Sequence, residues 1–425
     1  MDDDGTDASP EFEVRGLKHL ARLLPLFARL HEVGCDRDVA GNRLLHFDGY
    51  AALVMLYLFN PLIGSMRALR RTLGLPHVAK ALGVARFSLG SFSEAPNAFD
   101  PALLRAIVDE LAAEARPLPL ADPRLADLKR ALTLVDGTVL PALPRLAQAA
   151  AEGTHYNTGR DGTWRYAWRL HAHVELSLPQ APRLELTGGD RRGDNGEAAT
   201  LRRRVEGGRC YVTDAAYWDH ALFDEIRDAG SGFVCRVREN AAFDVIEERE
   251  LSEAALAAGV VRDAVVRPAA AGAAGRPVRV LMIEVTPRKL RTRTAPGVKF
   301  GQRTSDVLLI ATDMLDLAAD LVALIYLQRY AIELFFRFLK GMLGLRHLLS
   351  QRKAGVEIQA YCTVIACLLI SAATGRKPDK ATAEVMGWYL LGVATARDVI
   401  DHLNKPDRRG VKLRAKDELW KKLGV

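Results

Sequence analysis

Residues 325–348 read IYLQRYAIELFFRFLKGMLGLRHL, and their spacing predicts one long helix over about 317–345. At about 100° per residue, Tyr326, Arg329, Glu333 and Lys340 fall at roughly 0°, 300°, 340° and 320°, a sector only about 60° wide. The opposite side carries Leu324, Leu327, Ala331, Leu334, Phe335, Phe338 and Met342, an apolar stripe for a core. One acid thus stands among cations on a single face. Such a face is either a surface ladder of ion pairs, worth little to stability, or a metal ligand flanked by phosphate clamps. After Glu333 no acid occurs until Glu357, while Arg337, Lys340, Arg346, Arg352 and Lys353 intervene. A solvated helix normally mixes signs, so the one-sided charge favours the second reading.

Upstream the period changes to that of strands. LTLVD (132–136) reads as a short buried strand closed by Asp136 and followed by Gly-Thr. A longer strand covers 166–177, and RLELT (183–187) is its hairpin partner. A helix over 196–207 precedes the strand RCYVTD (209–214), closed by Asp214. A helix over 218–228 and strands at 233–238 and 306–313 follow. Asp136 and Asp214 each lie where an α/β sheet exposes strand ends to ligands. Taken singly, each acid is most simply a turn or capping residue. Brought together, three carboxylates repel one another unless cations neutralise them. Hard oxygen ligands suit Mg²⁺ or Mn²⁺. Two such ions about 4 Å apart can activate water and stabilise a leaving oxygen in phosphodiester cleavage.

Tyr326-x2-Arg329-x3-Glu333-x6-Lys340 resembles, spacing included, the Y-R-E-K motif of the insertion sequence 4 family of bacterial DDE transposases. VDGT around Asp136, WRLHAHVEL (168–176), LTGGD (186–190) and YVTDAAYW around Asp214 are similar to the same family. The resemblance covers about 132–370. It implies an α/β fold with an RNase H-like mixed-sheet catalytic core, a β-rich insertion, and N- and C-terminal helical regions. It implies a DNA transposase that cuts phosphodiester bonds at transposon ends and transfers the strands to target DNA. Carried over, Asp136, Asp214 and Glu333 are the catalytic, metal-binding triad for two Mg²⁺ or Mn²⁺ ions. Tyr326, Arg329 and Lys340 hold DNA phosphates near the cut. The implied partners are double-stranded DNA, at transposon ends and target, and a second copy of the chain in a synaptic homodimer. Relatives commonly carry Arg-Gly after the second aspartate, where this chain has Ala-Ala. Some relatives stack an insertion-domain tryptophan on a flipped base. All five tryptophans here lie outside 239–305, which leaves Phe243 or Phe300 for such a role.

Residues 1–13 read as a disordered acidic lead, the reverse of a signal peptide. A helical region follows over 14–120, suited to binding DNA ends but without an evident helix-turn-helix glycine turn. Within it, Asp100-Pro101 marks a helix start. The catalytic core is assigned to 128–238 and 306–375, the insertion to 239–305, and a C-terminal helical region with a basic tail to 376–425. Other cores on this scheme are a structure-selective nuclease and a DNA-binding derivative that has lost catalysis. Five cysteines with no CxxC pair argue against a zinc site and for a reducing cytosol. No apolar run reaches the length of a membrane span. The expected setting is the cytoplasm, and the resemblance implies a bacterial one, on nucleoid DNA. A net charge of +7 permits a polyanionic partner without demanding one. The basic stretch 286–303 reads as a DNA-backbone contact. His171 reads as a histidine of the core or behind the site.

Overall fold

The computed structural model describes residues 155–157 and most of residues 24–114, 122–141, 164–176, 182–284, 307–341 and 347–404. The basic stretch 286–303, Phe300 and the tail after 404 lie outside the described residues. The chain forms two compact units. The first comprises Met1–Leu111, Phe338–Ile370 and Pro378–Lys405, and the second Ala112–Arg337, Ser371–Lys377 and Pro406–Val425.

The second unit is built on ten strands among the described residues, running β2-β3-β1-β5-β6-β10-β9-β8-β7, with β4 along β3. These are β1 (Ala131–Pro141), β2 (His155–Asn157), β3 (Trp164–Glu175), β4 (Arg183–Gly188), β5 (Arg209–Thr213), β6 (Gly232–Arg236), β7 (Phe243–Glu248), β8 (Val260–Pro268), β9 (Val278–Glu284) and β10 (Val307–Thr312). β1 pairs antiparallel with β3 and parallel with β5, and β5 pairs parallel with β6. The order β4-β3-β1-β5-β6, with its first three strands antiparallel and its last two parallel to β1, is that of an RNase H-like core. β7 to β9 continue the same sheet beyond β10.

Two parallel strands need a crossover, and helix His220–Asp228 supplies the one between β5 and β6. Asp219 caps it by accepting from Leu222 N at 2.9 Å. Its apolar stripe, Leu222, Phe223 and Ile226, is buried on Tyr211, Phe233 and Cys235 of the sheet. Phe223 and Phe233 stack at 4.1 Å between ring centroids.

Three expectations need correction. The predicted long helix over 317–345 is two helices, Ala319–Leu327 and Tyr330–Gly341. Between them Arg329 N bonds Tyr326 O and Ala331 N bonds Gln328 O, so the i→i−4 ladder lapses into tighter turns. The apolar stripe shifts accordingly: Ile332, Phe336 and Leu339 are buried with Phe335 and Phe338, while Leu334 is exposed. Finally, β1 does not close at Asp136. It continues to Pro141 on β3 after its last pair with β5 at Leu134↔Val212.

The first unit is helical among its described residues. Helix Phe47–Phe59 is apolar all round and almost wholly buried, as a central helix must be. Helix Pro101–Glu114 starts where Asp100-Pro101 predicts, with Asp100 accepting from Ala102 N at 3.0 Å. Residues 353–370 of helix Lys353–Thr374 group with this unit, and Arg352 ties the helix start to Glu94 at 2.8 Å. No described helix is long and apolar enough to cross a membrane.

The Phe223–Phe233 stack holds the crossover helix to the sheet. Phe233→Ala should cost about 3–5 kcal/mol, read as a lower urea midpoint. A cost below about 1 kcal/mol would contradict this packing.

Candidate active site

Asp136 and Asp214 are neighbours because of register. Leu134 pairs with Val212 in the parallel β1–β5 ladder, and both chains run on by two residues. An even step keeps both side chains on one face, and neighbouring strands lie about 4.8 Å apart. Beyond Leu134 the β5 side of β1 has no further pairing, so Asp136 stands at the fork between the two strands.

Local hydrogen bonds hold each carboxylate. Asp136 Oδ1 accepts from Gly137 N at 2.7 Å. Asp214 Oδ1 accepts from Ala216 N at 2.9 Å, capping the short turn Ala215–Tyr217. The Ala-Ala after Asp214 thus serves through its backbone. Burial pushes Asp136 up to about 6, and the Asp214 carboxylate pushes the same way. Gly137 N–H, Arg329 and Arg169 pull it down without prevailing.

Arg329 is the counter-charge within the site. Its Nη2 lies 2.5 Å from Glu333 Oε1 and its Nη1 3.9 Å from Asp136 Oδ2. One guanidinium therefore spans Asp136 and Glu333. Burial works against its charge, but Tyr326, Glu333 and Asp136 outweigh that and raise its proton affinity. The Arg329 guanidinium also lies over the Tyr326 ring, 5.9 Å from its centroid. Tyr326 is buried, and burial pushes its hydroxyl up to about 12. Lys340 stands seven residues after Glu333, about two turns along helix Tyr330–Gly341, and belongs to the first unit.

A second layer lies behind Asp136. Arg169 and Glu197, both nearly fully buried, form an ion pair. Arg169 Nη2 also donates to Gly137 O at 3.2 Å. His171, beside it on β3, bonds Thr187 Oγ1 through Nε2 at 2.9 Å, and so sits behind the site as expected. These groups explain the glycine of VDGT: a Cβ at 137 would lie 2.8 Å from Arg169 Nε and 3.1 Å from His171 Nδ1. Sequence reasoning missed the Arg169–Glu197 pair; the only signal was that strand β3 carries a charge at a position its pattern buries. Phe243, partly buried, packs edge-on to Trp218 at 5.9 Å between ring centroids.

The donor set fits a hard divalent cation at the two aspartates. They are adjacent carboxylates whose mutual repulsion a cation would relieve. The Tyr217 hydroxyl, fully buried, lies in the field of Asp136, Glu197 and Asp214 and has no hydrogen-bond partner among the described residues. No group of three His, Cys, Asp or Glu side chains is close enough to form a metal site among the described residues. Glu333 is instead engaged by Arg329.

Residues 127–369, more than half of the chain, match the family described as Transposase DDE domain. The chain belongs to the DDE transposase family. Members of this family use divalent metal ions and act on DNA. The chain is also similar to a Sinorhizobium fredii (strain NBRC 101917 / NGR234) protein, "Putative transposase y4zB", at 28% identity over 173 residues. That stretch is 40% of this chain and 44% of the relative, so the chain spans less than half the relative's length. Asp136, Asp214, Arg329 and Glu333 all lie inside the matched stretch.

A buried carboxylate raised from 3.8 to about 6 is charged at neutral pH at a cost to folding. Its folded form holds a proton more tightly than its unfolded form, so stability falls as pH rises from about 4 to 6. Asp136→Asn avoids that loss. In metal-free buffer the variant should match the parent near pH 3.5 and exceed it by about 2–3 kcal/mol above pH 6.5, measured by urea unfolding. A parent more stable than the variant at neutral pH would contradict the repulsive pairing.

Proposed function

We propose that the protein is a DNA transposase of the insertion sequence 4 group, cutting phosphodiester bonds at the ends of a transposon and joining them to target DNA. The observation that supports this reading is that Arg329 spans Asp136 and Glu333, while strand register sets Asp214 beside Asp136 on the RNase H-like sheet. Mg²⁺ or Mn²⁺, two ions by family resemblance, would be held by Asp136 and Asp214, with Glu333 as the third ligand, and supply water activation and leaving-group stabilisation. Asp136 and Asp214 are positioned by strand register, so their spacing does not await DNA. Glu333 and Arg329 sit on a helix and its preceding turn. Arg329 can exchange its carboxylate partners for a phosphate, for which its forked guanidinium is equally suited. Tyr326 supports that guanidinium from beneath, and Lys340 extends the positive face of the same helix toward DNA.

The first unit is proposed to bind the DNA ends. Arg67, Arg70, Arg71 and Lys80 are exposed there with no ion pair to a described carboxylate. Most other described arginines are paired. Arg67, Arg70 and Arg71 lie on helix Met66–Thr72, and Lys80 lies on helix Pro76–Leu82. The latter ends at Gly83, whose φ of +64° is the left-handed turn that the sequence pattern did not reveal. Helix Leu89–Glu94 follows, capped by Ser88. Two DNA ends must be held together for transposition, so the working form is a homodimer on DNA, acting on nucleoid DNA in the cytoplasm.

Two measurements test this. Glu333→Gln should bind end DNA as the parent does in gel shifts, while Mg²⁺-dependent strand cleavage falls by about 10³-fold or more. Cleavage at the parental rate would overturn the mechanism. Changing Arg67, Arg70 and Arg71 together to Ala should weaken binding across DNA sequences and lower the slope of log K against log salt by about 2–3. An unchanged slope would show that these arginines do not meet phosphate.

A further inference from the structure

Arg279 on β9 and Asp263 on β8 form a second buried ion pair, far in sequence from the triad. Both are about 3% exposed. The contact is a two-pronged fork: Nε to Oδ1 at 2.8 Å and Nη2 to Oδ2 at 2.6 Å. The remaining nitrogen, Nη1, donates to the carbonyls of Met314 at 3.3 Å, Leu315 at 3.1 Å and Leu317. Arg249 adds a bond to Leu315 O. These carbonyls belong to the turn between β10 and helix Ala319–Leu327. That helix has no side-chain cap at Ala318. Tyr326 lies on that helix, Arg329 in the turn after it, and Glu333 on the next helix, Tyr330–Gly341.

A buried ion pair is a poor device for stability, because desolvation offsets most of its attraction, and apolar pairs of similar size do as well or better. What the fork provides is direction. Asp263 fixes the guanidinium plane, and the plane fixes three backbone carbonyls. We propose that Arg279, held by Asp263, is a positioning residue for the Glu333 segment: it sets where helix Ala319–Leu327 departs from the sheet, and so where Arg329 and Glu333 meet Asp136. The strands at 243–284 would then belong to the catalytic machinery through this clamp. The inference rests on the transposase reading for its catalytic consequence, but not for the clamp itself.

The test uses the full-length chain and two variants. Asp263→Leu with Arg279→Met replaces the pair by apolar side chains that a buried site accepts. Arg279→Lys keeps the charge but loses the fork. Three quantities are read: the urea midpoint, hydrogen exchange at amides of residues 314–333 without metal, and the single-turnover cleavage rate beside the Kd for end DNA. The double variant should keep the parental midpoint and a Kd within about twofold. Its exchange at 314–333 should rise about tenfold or more over the rest of the unit, and its cleavage rate should fall about ten- to hundredfold. Arg279→Lys should move in the same direction, and it decides the matter if the double variant does not fold. Parental exchange at 314–333 in a folded variant would overturn the proposal. So would a cleavage loss that only tracks a lower midpoint. If the parent itself does not cut DNA, the transposase reading fails, and the exchange measurement still decides the clamp.

Discussion

Two carboxylates forced side by side organise this molecule. The parallel register of β1 and β5 sets Asp136 beside Asp214. A fold that served stability alone would not keep that arrangement. Burial and repulsion hold Asp136 up near 6. The surrounding residues read as responses to this charge. Gly137 N–H and Ala216 N–H each satisfy one carboxylate oxygen. The Arg169–Glu197 pair lies behind, neutral in sum, with its guanidinium turned toward the Gly137 backbone. Arg329 closes the front.

Arg329 can do so because the chain breaks its helix at that residue. In an unbroken helix the guanidinium would rise from a regular surface. At the turn between Leu327 and Tyr330 it instead reaches Asp136 and Glu333 together while lying over Tyr326. The site thus carries its own positive charge. Under the proposed function the same guanidinium would also suit a DNA phosphate.

Much of this was legible in the sequence, for physical reasons. The strand pattern around VDGT and YVTD, and the crossover helix after Asp214, follow from period and caps, so the α/β core and its two aspartates could be placed in advance. The spacing of Tyr326, Arg329, Glu333 and Lys340 predicts one functional face, and the structure brings Arg329 to Glu333, Asp136 and the Tyr326 ring. The helix break was not visible, since neither Gly nor Pro occurs at 328–329 and the apolar periodicity runs through. For that reason Leu334 was assigned to the core although it faces solvent. Asp136 was read as a strand end because apolar burial stops there; the strand itself continues on β3, whose long-range pairing no local pattern encodes. The ion pairs Arg169–Glu197 and Asp263–Arg279 join residues from separate elements, and a charge at a buried strand position was their only trace.

The most direct test of the central claim is the location of Mn²⁺ by anomalous scattering in crystals of the full chain. The account predicts a Mn²⁺ ion bonded to both Asp136 and Asp214, with Arg329 withdrawn from Asp136. Mn²⁺ bound elsewhere while the two aspartates stay metal-free would contradict it.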